Sequence, residues 1–198
     1  MNTSLFGRLF AYARGGTADA LENFTTEALA AAIRADPRPF VDLLDWTGVV
    51  RAAPGTTATV ETQLVVPDCG IIDLAATLAT DTHLLAEIWV EVKAYAGESG
   101  DQLDRYRRHI GARPAWDRPI LVTLSQFPFA RDPAVAWIPW QTVWSIVGRT
   151  DQPHPLWLEF RGFLEESDMA DDAFEPIVPG RRRRWVTPHG CWRRRSAS

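Results

Sequence analysis

Hydrophobic positions recur at helical spacing near the start of the chain and switch to alternation further on. Leu5, Phe6, Leu9 and Phe10 predict a helix from Ser4 to Tyr12, interrupted by Gly15-Gly16. A second helix is predicted from about Asp19 to Ala35, with Leu21, Phe24, Ala28, Ala32 and Ile33 inward. Asp36-Pro37 stops it, because proline has no N–H to give and its ring clashes with the preceding turn. Val41 to Trp46 adds a short turn, and Arg51 to Thr57 reads as a loop. Val60 to Val66 is rich in β-branched residues and is bounded by Pro67-Asp68 and Gly70, which predicts strand, turn, strand. Ile71 to Leu78 and Leu84 to Ala94 are the next two strands. In the second, Leu84, Ala86, Ile88, Val90, Val92 and Ala94 share one face, and the other carries Glu87, Trp89, Glu91 and Lys93.

After the polar turn at Gly97 to Gly100, the helical period returns over Asp101 to Gly111, with Leu103, Tyr106 and Ile110 on one side. Pro119 to Leu124 reads as a strand. Trp137, Trp140, Trp144 and Val147 predict a packing helix over Trp137 to Val147, and Leu156, Phe160, Phe163 and Leu164 another over Leu156 to Glu166. From Asp168 onward the chain turns acidic, then proline-bearing, then arginine-rich, with no apolar period. The fold class expected is α/β, a mixed central sheet flanked by helices. Residues 1–175 form one domain, and 176–198 are a basic, disordered tail. With 198 residues, 46% of them hydrophobic, the chain can bury one sizeable core.

No run approaches the roughly 20 apolar residues of a membrane-spanning helix, and Met1 to Tyr12 lacks a secretory pattern. A cytoplasmic protein with no membrane partner is expected. Cys69 and Cys191 lie far apart without C-x-x-C spacing, which argues against a disulfide scaffold and a structural zinc site. Charge divides along the chain. Seven of the 21 basic residues fall in 181–198, which has no acid, so the body holds fourteen bases against all 25 acids. Such a body does not attract nucleic acid in bulk, and phosphate binding must come from local arginine contacts or bridging metal ions. Lys93 is the only lysine among those 21 basic residues. Ammonium and guanidinium are not interchangeable where a compact point charge is needed, which singles out Lys93.

Glu91 and Lys93 are two apart on a strand, so both project from one face, about 7 Å apart at their backbones, while Val92 points into the core. Ile71-Ile72-Asp73-Leu74 sets an acid in an otherwise apolar strand, and a hairpin brings Asp73 beside Glu91. Two carboxylates meeting there repel each other unless they share a cation. Hard oxygen ligands suit Mg2+ or Mn2+, and a neighbouring lysine can position or deprotonate an attacking water. That chemistry is metal-dependent hydrolysis of a phosphodiester.

In these residues the chain resembles the PD-(D/E)XK nuclease superfamily, the restriction-endonuclease-like fold, in which one strand supplies an aspartate and the next an E-x-K. The matching positions are Asp73, Glu91 and Lys93. Gln102-Leu103-Asp104-Arg105-Tyr106 is similar to the Q-x-x-x-Y motif of the RecB-like branch, and its spacing of four puts both side chains on one helical face. Leu21-Glu22-Asn23-Phe24-Thr25-Thr26-Glu27-Ala28-Leu29 and Glu61-Thr62-Gln63 resemble bacterial members of the superfamily, some associated with phage defence. The PD dipeptide is absent, Ile72 preceding Asp73.

The resemblance implies a Mg2+-dependent deoxyribonuclease acting in phage defence or DNA processing. Its metal would be held by Asp73, Glu91 and the Val92 carbonyl, with Lys93 on the water and Gln102 ordering the site. Tyr106 and Arg105 would contact DNA. Superfamily members often bring a first-helix glutamate to the metal. Glu22 lies on the side of Leu29 and Ile33, whereas Glu27 groups with Asn23 and Arg34, so Glu22 is the expected one. A homodimer or a partner protein of a defence system is compatible with this reading. The alternative is an inactive member of the fold that binds nucleic acid or a partner protein.

Arg105, Arg107, Arg108, Arg113 and Arg118, on or just after the Gln102 helix, offer a path for phosphates. Gln63 sits in a strand where it either hydrogen-bonds near the metal or serves structure. His83, His109, His154 and His189 have no mutual ligand spacing and are assigned no role.

Overall fold

The computed structural model describes residues 4–13, 18–94, 101–127 and 135–170; the basic tail from 176 lies outside them. Three helices open the chain, α1 (Leu5–Ala13), α2 (Ala18–Ala35) and α3 (Arg38–Thr47). They lead to β1 (Thr57–Val66), β2 (Gly70–Ala79) and β3 (Leu84–Val92), then α4 (Gln102–Ala112), β4 (Ile120–Ser125), β5 (Ala136–Pro139), α5 (Trp140–Val147) and α6 (Pro155–Glu166). The five strands form one sheet in the order β1-β2-β3-β4-β5. The first three run antiparallel, and β4 and β5 are added parallel to β3, so the sheet is mixed. The expected α/β class with flanking helices is therefore present.

The two faces of the sheet bury different clusters. Phe6, Phe10, Leu29, Ile33, Phe40, Leu44, Trp140, Trp157 and Phe160 join Leu74, Ala76, Ile88, Val90 and Val92 in the main core. A smaller cluster of Ile72, Trp89, Tyr106, Leu121 and Val135 lies under α4. The alternation along β3 explains both, with Val90 and Val92 in one cluster and Trp89 in the other. Burying a large side chain of this kind contributes roughly 1.5–3 kcal/mol, so the main core dominates stability.

Four expectations change. Strand β1 starts at Thr57 rather than Val60, taking in the last residue of the expected loop, because its antiparallel pairing with β2 runs out to Thr57↔Ala79. The short turn at 41–46 is a full helix whose start, Arg38-Pro39, uses proline where its missing N–H costs nothing. Trp137 does not open the tryptophan helix. It lies in β5, pairs with Thr123, and donates its indole N–H to Ser125 Oγ at 2.9 Å, and the helix begins only at Trp140. Leu9, expected on the packed side of α1, is 46% exposed. Among the described residues no helix is long and apolar enough to cross a membrane.

The β1–β2 hairpin turns over part-way along. Ala58 and Val60 pack in the main core, yet Leu64 and Val66, of the same parity, pack with Trp89 and Tyr106. Gln63 lies between these pairs with φ +53°, the left-handed region. The ladder pairs Thr62 with Leu74 and Leu64 with Ile72, and Gln63 faces Asp73 without a ladder pair between them. Strand β2 makes the same switch between Ile72 and Leu74, and in β1 it falls at the left-handed Gln63; the hairpin tip, with Gly70 at φ +131°, lies toward α4.

Candidate active site

The residue row at this pivot runs across the sheet. Gln63 faces Asp73; continuing the register that pairs Leu74 with Val90 sets Asp73 opposite Glu91, and Glu91 pairs with Thr123. Where the β2–β3 ladder ends, the Asp73 carboxylate replaces it. Asp73 Oδ2 accepts the Val92 N–H at 2.8 Å. The Val92 side chain remains in the core, so this N–H would otherwise be an unpaired buried donor.

Lys93 follows directly after β3, its backbone N–H donating to the Leu124 carbonyl at 2.8 Å and its own carbonyl accepting the Trp140 indole N–H at 3.0 Å. The ammonium lies between two carboxylates, 2.8 Å from Glu22 Oε2 and 2.9 Å from Glu91 Oε1. The Glu91 contact is an ion pair without hydrogen-bond alignment, which leaves Oε1 buried with no hydrogen bond. Glu91 Oε2 accepts from the Gln102 amide at 2.9 Å. The same amide reaches the Tyr106 hydroxyl at 2.6 Å, and that hydroxyl donates to the Ile71 carbonyl. The side chain of Glu91 is 1% exposed, that of Lys93 10% and that of Glu22 23%, so the cluster opens to solvent on the Glu22 side.

The electrostatics follow from this crowding. Burial and the Asp73 charge push the Glu91 carboxyl up to about 7, against the opposing pull of Lys93. Burial also raises Asp73, although the Val92 N–H and the Lys93 charge work the other way. Burial disfavours the Lys93 ammonium, yet the charges of Glu91 and Glu22 outweigh it and hold the group above the ordinary lysine range. Lys93 is a cation in this arrangement, which suits stabilising negative charge and not removing a proton from water. Tyr106 is raised by burial and by the neighbouring Glu91 charge, so its hydroxyl stays neutral and donates.

The expected residues thus meet: Asp73, Glu91, Lys93, Gln102 and Glu22 form one connected cluster. Glu27 pairs instead with Arg34 at 3.8 Å on the surface. Tyr106 departs from its expected contact with DNA. It is fully buried against Trp89, with ring centroids 6.3 Å apart, and serves as the support that fixes Gln102.

The arginine path is reduced. Arg107 pairs with Asp104 at 3.1 Å, Arg113 with Asp117 at 3.4 Å and Glu87 at 3.6 Å, and Arg118 folds onto the carbonyls of Arg113 and Gly111. Arg105, exposed, donates to the Cys69 carbonyl at 3.3 Å, and Arg108 to that of Asp104. These two reach carbonyls and keep their full charge toward solvent. Gln63 does not reach the carboxylates; its amide donates to Asn23 Oδ1 at 3.3 Å, next to Glu22 in sequence.

The donor set suits a hard divalent ion. Two carboxylates and the Val92 carbonyl are the kind of oxygen donors Mg2+ or Mn2+ takes from a protein. Glu91 Oε1 is the oxygen an ion would share with the Lys93 ammonium, which lies 2.9 Å from it. Glu22 is spoken for by Lys93, and among the described residues no group of three or more His, Cys, Asp and Glu side chains is arranged to hold a metal ion. Comparison with known proteins finds no family model, no curated protein and no solved structure that matches this chain.

Proposed function

We propose that this protein is a metal-dependent nuclease of the PD-(D/E)XK superfamily, with the restriction-endonuclease-like fold, hydrolysing DNA phosphodiester bonds. The observation that carries the reading is the meeting of Asp73, Glu91 and Lys93 at the end of β3, with Gln102 holding one oxygen of Glu91. Mg2+ or Mn2+ held by Asp73, Glu91 and the Val92 carbonyl would supply Lewis-acid activation of the scissile phosphate and its attacking water.

The chain's own residues do the rest. Lys93 presents a fixed positive charge where the phosphorane's negative charge grows, stabilisation that needs no reorganisation because Glu22 and Glu91 already hold the ammonium in place. Gln102 fixes Glu91 through Oε2, and Oε1 faces the Lys93 ammonium. Tyr106 fixes Gln102, and Asp73 holds the backbone at Val92. Arg105 and Arg108 offer phosphates of the flanking strand a positive edge on α4.

A second reading, a module of the same fold that binds DNA or a partner protein without cutting, is favoured by the ammonium bridging Glu22 and Glu91 in a self-sufficient ion triad. A plasmid-nicking assay with Mg2+ or Mn2+ separates the two. The nuclease reading expects nicking by the wild type and at least about 100-fold less by Lys93→Ala; equal activity of the two proteins, or none in the wild type, overturns it.

A further inference from the structure

Gln63 occupies a conformation that costs a side chain energy. A left-handed residue with a Cβ lies roughly 1–2 kcal/mol above its right-handed form, and glutamine lacks the short side chain that lets asparagine or aspartate tolerate it. Glycine would make the same reversal of the hairpin at no steric cost. Nothing in the packing demands the glutamine side chain: Gln63 is exposed, and its one hydrogen bond is to Asn23, itself exposed. A glutamine kept where the turn itself would be better served by glycine points to use of its side chain.

Its position supports this. Gln63 faces Asp73 in the strand register, and Asn23 adjoins Glu22, whose carboxylate holds the Lys93 ammonium. Gln63 thus continues the row of Asp73 and Glu91, and Asn23 reaches it from the same turn of α2 that carries Glu22. In the bond Gln63 makes, one amide hydrogen goes to Asn23 Oδ1, which leaves Gln63 its second amide hydrogen and its carbonyl oxygen, and Asn23 its own amide group. A neighbouring donor and acceptor on one planar group, with no charge, match the edge of a nucleobase and not a phosphate. Adenine, which offers an amino donor beside a ring-nitrogen acceptor, is the base a carboxamide binds with two bonds.

We propose that Gln63 and Asn23 form a base-contacting subsite that gives the enzyme a preference for adenine next to the phosphate it cleaves. This rests on the nuclease reading above.

The test is the rate of cleavage of oligo(dA), oligo(dC) and oligo(dT) by the full chain in Mn2+, with Gln63→Ala, Gln63→Gly and Asn23→Ala alongside, together with a melting temperature for each protein. The wild type is expected to cleave oligo(dA) faster than the others by about tenfold, the discrimination one two-bond contact supplies. Each variant is expected to bring the three rates close together while still cleaving. Gln63→Gly is expected to melt higher than the wild type, since it removes the steric cost. A merely structural glutamine would move the melting temperature and leave the rate ratio where it was. Equal rates on the three substrates in the wild type, or a ratio unchanged in the variants, overturns the subsite and leaves the nuclease standing. Absence of cleavage by the wild type overturns both.

Discussion

Asp36 and Glu91 are both buried acids, and the molecule treats them in opposite ways. Asp36, between α2 and α3, takes hydrogen bonds from the Arg38 guanidinium at 2.9 Å and from the backbone N–H groups of Arg38 and His154. The Arg38 hydrogen bond outweighs burial and holds its carboxyl below the usual range. Glu91 has Asp73 for a neighbour, and burial with that repulsion lifts it to about 7. An acid placed for stability is given donors until its charge is comfortable. Glu91 and Asp73 are held together despite their repulsion, which the Lys93 ammonium offsets only in part. The contrast is what the proposed nuclease site rests on, since it needs no reference to any relative.

The largest effect expected from breaking this contrast is catalytic. Lys93→Ala removes the fixed charge at the site and should lower DNA cleavage about 100- to 1,000-fold, read as single-turnover rates, with the far-ultraviolet circular dichroism spectrum retained. The same substitution has no counterpart at Asp36, where activity per folded molecule should not change.

Stability against pH comes next. The folded-state pKa of Glu91 is raised from 4.5 to about 7, so the native protein binds more protons than the unfolded chain between those values. Its contribution is favourable below about pH 4.5 and declines as pH rises through 7, by about 3 kcal/mol in all. Asp36 has the reverse sign, contributing above its unfolded pKa of 3.8 and losing that contribution as pH falls through its depressed folded value. Urea unfolding at a series of pH values should show the decline near neutrality in the wild type and its absence in Glu91→Gln. A decline of equal size in Glu91→Gln would mean another group carries it.

Asp36→Ala should cost about 2 kcal/mol in urea unfolding, since the backbone N–H groups of Arg38 and His154 lose an acceptor where the segment is part-buried. Tyr106→Phe should cost about 1 kcal/mol and lower kcat while leaving KM nearly alone, because the hydroxyl fixes Gln102 and does not reach solvent. A raised KM with unchanged kcat would return Tyr106 to contact with DNA.

How much of this was legible in the sequence depended on whether local period or tertiary contact decides the matter. The alternation of Leu84 to Ala94 placed Glu91 and Lys93 on one face, and the helical phase of Leu29 and Ile33 separated Glu22 from Glu27, because both features are set by residues within a turn or two. Trp137 was misread because Trp137, Trp140 and Trp144 match helical spacing and a four-residue strand is too short to display its own period. Pro139, which ends β5 and caps α5, was the available signal. The burial of Tyr106 was not legible, since its stripe with Leu103 and Ile110 suits either a core or a site. The left-handed turn at Gln63 carried no local signal at all, since glutamine does not favour that conformation.

The central claim is that Asp73 and Glu91 are held in a repulsion that a divalent ion relieves. Calorimetric titration of Mn2+ into the protein at pH 8, beside Asp73→Asn and Glu91→Gln, tests it most directly. The account predicts one ion bound per chain by the wild type and at least tenfold weaker binding by each variant. No heat from the wild type, or the same binding curve for all three proteins, would contradict it.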